Sequence, residues 1–276
     1  SAYVFSFVER MRQTGTVAGE AKIAVGIDLR PSSPKIALMV CETLAHLGLR
    51  PEYLGQLPTP ALALHCLASG IPGIMITGSH IPFDRNGIKF YRPDGEILKD
   101  DEQAIAQASI PDGRLPAQAR WSALPQISLH ARTMYVRRYI DYFGADALVG
   151  LRVGVYEHSA VGRDLTQEVL RGLGAEVISL GRSEEFIPVD TEAVSEADLA
   201  QARRWCEENR LDALVSTDGD GDRPLVFDAQ GNFVRGDILG LLCAHTIGVE
   251  ALAVPVSCNT AIEKTGFFKR VIRTRI

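Results

Sequence analysis

Residues 22–77 read KIAVGIDLR-PSSPKIALMV-CETLAHLGLR-PEYLGQLPTP-ALALHCLASG-IPGIMIT. Lys22 to Ile27 is a short apolar run, the pattern of a strand buried on both faces. Ser33 to Leu47 has apolar residues at helical spacing and stops before Gly48, a residue suited to ending a helix. Pro51 to Leu54 reads as a strand, Pro60 to Ala68 as a helix and Gly73 to Thr77 as a strand. Strand, helix, strand, helix, strand requires crossover connections and a largely parallel sheet covered by helices.

The same logic recurs on either side. Ser1 to Arg12 reads as a helix. Residues 109–127 carry Pro111, Gly113, Pro116 and Pro125 with no long periodic segment, and mark a boundary. Beyond it come a helix (Thr133 to Phe143), a strand (Leu151 to Tyr156), a helix (Gly162 to Gly172), a strand (Glu176 to Leu180), a helix (Ser195 to Asn209, with Ser195 and Asp198 as a capping box) and a strand (Asp212 to Ser216). A helix opening at Arg235-Gly-Asp237, strands at Ala251 to Val256 and Phe268 to Thr274, and a short helix at Thr260 to Thr265 begin a third unit without the elements to bury its sheet. The expected architecture is α/β, with consecutive three-layer αβα units and mixed, largely parallel sheets. The expected divisions are 1–127, 128–233 and 234–276, and the chain is expected to be truncated.

The 276 residues are 46% hydrophobic and 23% charged, which excludes a disordered tail or a disulfide-stapled mini-protein. Lys and Arg total 29 and Asp and Glu 34, a net charge of −5, which argues against non-specific nucleic-acid binding. Cys41, Cys66, Cys206, Cys243 and Cys258 are scattered, with no C-x-x-C spacing, and the histidines form no H-E-x-x-H pair. The longest apolar stretch, Ile238 to Cys258, is interrupted by His245, Glu250 and Pro255, and no membrane span is expected. Glu9 and Arg10 stand where a signal peptide needs its apolar core. A cytoplasmic location is expected.

Three segments following apolar strands carry candidate chemistry. In Thr77-Gly-Ser-His-Ile-Pro82, Ser79 stands beyond a strand end, where parallel sheets place ligands, with Arg85 and Lys89 close in sequence. Taken alone, this segment reads better as a polar turn. In Asp218-Gly-Asp-Gly-Asp-Arg223, three alternating carboxylates can converge on one hard cation, Mg²⁺ or Ca²⁺. An EF-hand register fails, because Arg223 falls at loop position 6 and Ala229 at position 12. An open Mg²⁺ site completed by a phosphate oxygen fits better, with Arg223 beside it as a phosphate or sugar contact. In Gly26-Ile-Asp-Leu-Arg-Pro-Ser-Ser33, a helix start capped by Ser32 or Ser33 and Arg30 can accept a phosphate. Taken alone, the better reading is a capped helix in which Asp28 braces Arg30 or Ser32 across the turn. Gly55-Gln-Leu-Pro-Thr-Pro60 reads as a loop with no chemistry of its own.

Together these segments, in this order, and Asn86-Gly-Ile-Lys89 resemble the α-D-phosphohexomutase family over nearly the whole chain. The resemblance implies an isomerase that interconverts hexose 1-phosphate and hexose 6-phosphate, of mannose and/or glucose. Ser79 would be the phosphoserine and a hexose 1,6-bisphosphate the intermediate and activator. Asp218, Asp220 and Asp222 with one phosphoserine oxygen would hold Mg²⁺. Lys89 would do acid/base work, and to act as a base near neutrality it would need a depressed pKa, which nearby cations could supply. His80 would support the serine loop, and Arg30 and Arg223 would contact substrate. Ile81 stands where the family often has Asn, and Gly221 where it often has Ala. The family's leading glycine-rich strand and its sugar-specificity and final phosphate loops have no counterpart here. Phosphoglucosamine mutase, a non-catalytic Mg²⁺ and sugar-phosphate binder, and a metal-dependent phosphatase or calcium-binding module are the alternatives. Oligomeric state is not readable from the sequence.

Overall fold

Successive side chains of a strand point to opposite faces, so an all-apolar strand needs cover on both sides. The computed structural model describes residues 1–275 apart from 80, 83, 112, 117–120 and 188. It opens with α1 (Ala2–Gln13), followed by β1 (Lys22–Ile27) and α2 (Ser33–His46). Ile23, Val25 and Ile27 of β1 share one core with Phe7 and Met11 of α1 and Val40 and Leu44 of α2. Ala24 points the other way. It joins Leu54 of β2 (Arg50–Gln56) and Leu62 and Cys66 of α3 (Thr59–Ser69) in a second core.

The parallel centre of this sheet is β2, β1 and β3 (Gly73–Ile76). An antiparallel edge follows, made by β4 (Ile88–Arg92) and β5 (Gly95–Glu96), to give the order β2-β1-β3-β4-β5. α4 (Lys99–Gln107) adds Ile105 to the first core, and α5 (His130–Phe143) adds Ala131 and Val136 to the second. Three layers result: α1, α2 and α4, then the sheet, then α3 and α5.

The second sheet has the order β10-β9-β8-β6-β7. Its strands β6 (Arg152–His158), β7 (Glu176–Arg182) and β8 (Ala213–Thr217) are parallel, whereas β9 (Pro224–Asp228) and β10 (Phe233–Val234) run antiparallel. α6 (Arg163–Gly172) packs on β6 and β7 and also against α5. α7 (Glu196–Asn209) covers the other face, with Ala202 and Cys206 against Leu214 and Phe227. The Ser195 hydroxyl caps α7 by accepting from Asp198 N. After α8 (Gly236–Thr246), the strands β11 (Ala251–Pro255) and β12 (Arg270–Thr274) pair in parallel, joined through α9 (Ala261–Lys264).

The antiparallel strands and α4 are additions to the sequence reading. In β4, Lys89 and Arg92 interrupt the apolar run. The start of α4 is fixed by its own buried Asp101, which accepts from Leu98 N at 3.1 Å and, from α1, Arg10 Nε at 2.7 Å.

Two measurements test the first core. Phe7 is fully buried and stacks on Phe90 with ring centroids 4.6 Å apart. Phe7→Ala is expected to lower stability in urea by about 3–5 kcal/mol, whereas Tyr3→Ser on the exposed side of the same helix stays within about 0.5 kcal/mol. For Asp101, burial pushes the pKa up, but the bonds from Arg10 and Leu98 N outweigh it and hold the carboxyl below its ordinary 3.8. A depressed carboxyl stabilises the fold above the ordinary carboxyl range and loses that contribution as pH falls. Asp101→Asn is therefore destabilising at pH 7, and its difference from the parent shrinks below about pH 4.

Candidate active site

The segments after β1, β3 and β8 emerge at strand ends and meet. Ser79 follows β3 and is almost wholly buried, and its hydroxyl donates to Asp218 Oδ2 at 2.9 Å across 139 residues of chain. Its backbone is held at φ +48°, a left-handed conformation that a serine adopts only when its surroundings impose it.

What imposes it is Arg30. This guanidinium is 1% exposed, and all five of its N–H groups are used. Nε donates to Asp28 Oδ2 at 3.1 Å, NH1 to the carbonyls of Pro82 and Arg85 at 2.7 and 3.0 Å, and NH2 to those of Ser79 and Ile81 at 2.9 and 2.7 Å. Asp28 completes the clamp, since it also accepts from Arg30 N at 3.0 Å, Gly78 N at 3.3 Å and the Ser33 hydroxyl at 2.6 Å. Residue 78 must be glycine, because a Cβ there would sit 2.6 Å from the Arg30 guanidinium carbon. The ring of Phe186, from the loop after β7, lies 4.3 Å from that same carbon. The phosphate contact expected of Arg30 is therefore corrected: no N–H is left for a ligand, and the brace from Asp28 to Arg30 is what forms. The hydroxyl of Ser33 turns to Asp28 and does not cap α2.

Asp218, Asp220 and Asp222 each offer an oxygen within 4.8 Å of the others. Asp218 Oδ1 accepts from Arg223 N at 3.2 Å. Asp220 is fully buried, and its Oδ2 accepts from Lys89 Nζ and from the Thr59 hydroxyl, each at 2.7 Å. Among the described residues its Oδ1 is buried without a hydrogen-bond donor. Burial, then repulsion from Asp220 and Asp222, raises the pKa of Asp218 to about 7. An undonated carboxylate oxygen beside a carboxyl that resists ionisation is an arrangement that a cation completes, and an all-oxygen donor set suits Mg²⁺. The residues present fit that ion.

Lys89 bridges Asp220 and Asp222, with Nζ 2.7 Å from an oxygen of each. Burial lowers its pKa, but the two carboxylates outweigh burial and the net shift is upward. This reverses the expected depression, because the neighbours β4 brings to Lys89 are anions. Arg223 is half-buried, and its NH1 donates to Glu192 at 3.1 Å. It lines a cleft of about 440 Å³ with Thr191, Arg235, Asp237 and Cys258. His80 lies outside the described residues.

Thr59 and His158 also belong to the site and were not read from the sequence. Thr59 reaches Asp220 from the proline loop taken to carry no chemistry. Its only sequence signal is its place at a helix start between two prolines. His158, fully buried at the end of β6 with φ +26°, holds the carbonyl of Thr217 at 2.8 Å through Nε2 and so supports the start of the aspartate loop.

Removing Arg30 would leave Asp28 buried and unpaired. Arg30→Met is expected to cost about 3–5 kcal/mol in urea unfolding and to open the 78–87 loop to limited proteolysis. Arg30→Lys fails to restore the loop, since three ammonium donors cannot replace five in a planar fork.

Residues 2–111 match the family description "Phosphoglucomutase/phosphomannomutase, alpha/beta/alpha domain I", and residues 134–231 match "alpha/beta/alpha domain II". A phosphomannomutase of Salmonella muenchen is 48% identical over 276 residues, covering 99% of this chain and 56% of that protein. One of Sinorhizobium fredii is 44% identical over 279 residues, covering 99% and 58%. The chain thus spans a little over half the length of these relatives. Among solved structures, a phosphoglucomutase/phosphomannomutase family protein of Burkholderia thailandensis superposes with a TM-score of 0.81 at 21% identity, covering all of this chain and 61% of that one, which shows the shared fold. With both domain descriptions matched in order, the chain belongs to the α-D-phosphohexomutase family.

Proposed function

We propose that the chain works as an intramolecular phosphotransferase that interconverts hexose 1-phosphate and hexose 6-phosphate, through a phosphoserine at Ser79 and a hexose 1,6-bisphosphate. The observation that carries this reading is the 2.9 Å contact between the Ser79 hydroxyl and Asp218, which sets a nucleophile from one sheet against three carboxylates from another. Mannose and/or glucose is the proposed sugar, on the ground of relatives named phosphomannomutase. Residues 1–127 would supply the serine, 128–233 the metal loop, and 234–276 the start of a third unit. The five cysteines are unpaired, in keeping with the proposed cytoplasmic location. No helix among the described residues is long and apolar enough to cross a membrane.

Asp218, Asp220 and Asp222, with one oxygen of phosphorylated Ser79, would hold Mg²⁺. When bound, the ion neutralises charge on the phosphoryl oxygens. The chain's own residues do the rest by positioning. A sugar hydroxyl attacks the phosphorus, its bond to phosphorus forms, and the bond to Ser79 Oγ breaks. The departing serine oxygen takes a proton from Lys89, whose raised pKa keeps it an ammonium. Lys89 regains a proton from the sugar hydroxyl, so the relay is neutral over the step. The bisphosphate then reorients and returns its other phosphoryl group to Ser79 by the reverse sequence. Arg223 lines the cleft beside the aspartate loop and would grip the sugar or its phosphate. His80, next to the nucleophile, is proposed to support its loop.

Incubation with Mg²⁺ and a hexose 1,6-bisphosphate, followed by phosphopeptide mass spectrometry, is expected to show one phosphate on the Ser79 peptide. Ser79→Ala is expected to remain folded, to acquire no phosphate and to have no mutase turnover. Label on another residue, or turnover in that variant, would overturn the assignment.

A further inference from the structure

We propose that Thr59 is a positioning residue for the cation: it fixes the Asp220 carboxylate so that Oδ1 is presented to the metal. This rests on the metal-site reading above. Thr59 holds Asp220 at two points. Its hydroxyl donates to Oδ2 at 2.7 Å, and its backbone N–H donates to the Asp220 carbonyl at 2.8 Å. Side chain and main chain of the ligand are thereby pinned by one residue, itself only 3% exposed. With Lys89 also on Oδ2, that oxygen is saturated, and the undonated, buried Oδ1 is the one left for a cation.

The sequence around Thr59 explains why it can do this. Pro58 is extended, with φ −66° and ψ 147°, and Thr59 begins α3. The first N–H groups of a helix have no partner within it, so the N–H of Thr59 is free to point outward. The positive end of the helix dipole favours the anionic side chain it meets. A β-branched residue has restricted χ1 freedom, which keeps the hydroxyl aimed. Pro58 supplies the docking surface. Gly221 adopts φ +77°, and a Cβ there would lie 2.7 Å from Pro58 Cβ. A side chain at 221 would thus push the loop away. The segment Gly55 to Pro60 is therefore a latch by which the first sheet's unit holds the aspartate loop of the second.

Partners that orient a metal ligand from behind typically change metal affinity 10–100-fold when lost. The test is calorimetric titration of the whole chain with Mg²⁺. Thr59→Val is expected to bind Mg²⁺ about 10–100-fold more weakly, and Thr59→Ser, which keeps the hydroxyl, to bind as the parent does. Should Thr59→Val fail to fold, Thr59→Ala serves in its place. Parent-like Mg²⁺ affinity in the hydroxyl-free variant, even with a lowered melting temperature, would overturn the proposal and leave the metal site standing. Absence of Mg²⁺ binding by the parent chain would overturn the metal site and this inference with it.

Discussion

The structure of the site depends on one buried ion pair. A guanidinium removed from water must satisfy every N–H or carry a heavy desolvation cost. Arg30 does so by binding four carbonyls of a single loop and the carboxylate of Asp28. The requirement works in both directions: the loop satisfies the arginine, and the arginine dictates the shape of the loop. Gly78, the left-handed backbone at Ser79 and the burial of Asp28 all follow from that geometry. A serine held this way has little freedom to move when charge accumulates next to it, and that is the preorganisation phosphoryl transfer needs.

A second constraint acts across the two sheets. Ser79 donates to Asp218, Thr59 to Asp220, and Val161 N to the Gly219 carbonyl at 3.0 Å. The aspartate loop is thus held from both sides while its own charges repel one another. The ammonium of Lys89 offsets part of that repulsion from the Oδ2 side of Asp220. Asp220 Oδ1, without a donor among the described residues, lies on the side that the ammonium does not reach, next to Asp218, whose pKa is raised first by burial and then by Asp220 and Asp222.

The parallel core was legible because β1 and β3 are apolar on both faces, as buried strands of parallel sheets are, and because they alternate with helices. The serine and the three aspartates were legible because each motif stands directly after such a strand. Other features depend on contacts that no local pattern records. Thr59 could not be assigned because Asp220 lies 161 residues away. The role of Arg30 turns on carbonyls some 50 residues downstream, and a carbonyl carries no side-chain signal. The sign of the local field at Lys89 is not legible in the sequence. Its nearest charges in sequence include Arg85, but its nearest in space are two carboxylates. The strands β4 and β9 went unread because short antiparallel strands with charged or exposed positions lack the continuous apolar run of the central ones.

The central claim is that the Ser79 loop and the aspartate loop form one cation site. Anomalous diffraction from crystals grown with Mn²⁺, which prefers the same oxygen ligands as Mg²⁺, tests it directly. The account predicts one peak in contact with Asp218, Asp220 Oδ1, Asp222 and the Ser79 oxygen or its phosphate. A peak elsewhere, or none at this site under saturating Mn²⁺ with both loops ordered as described, would contradict it.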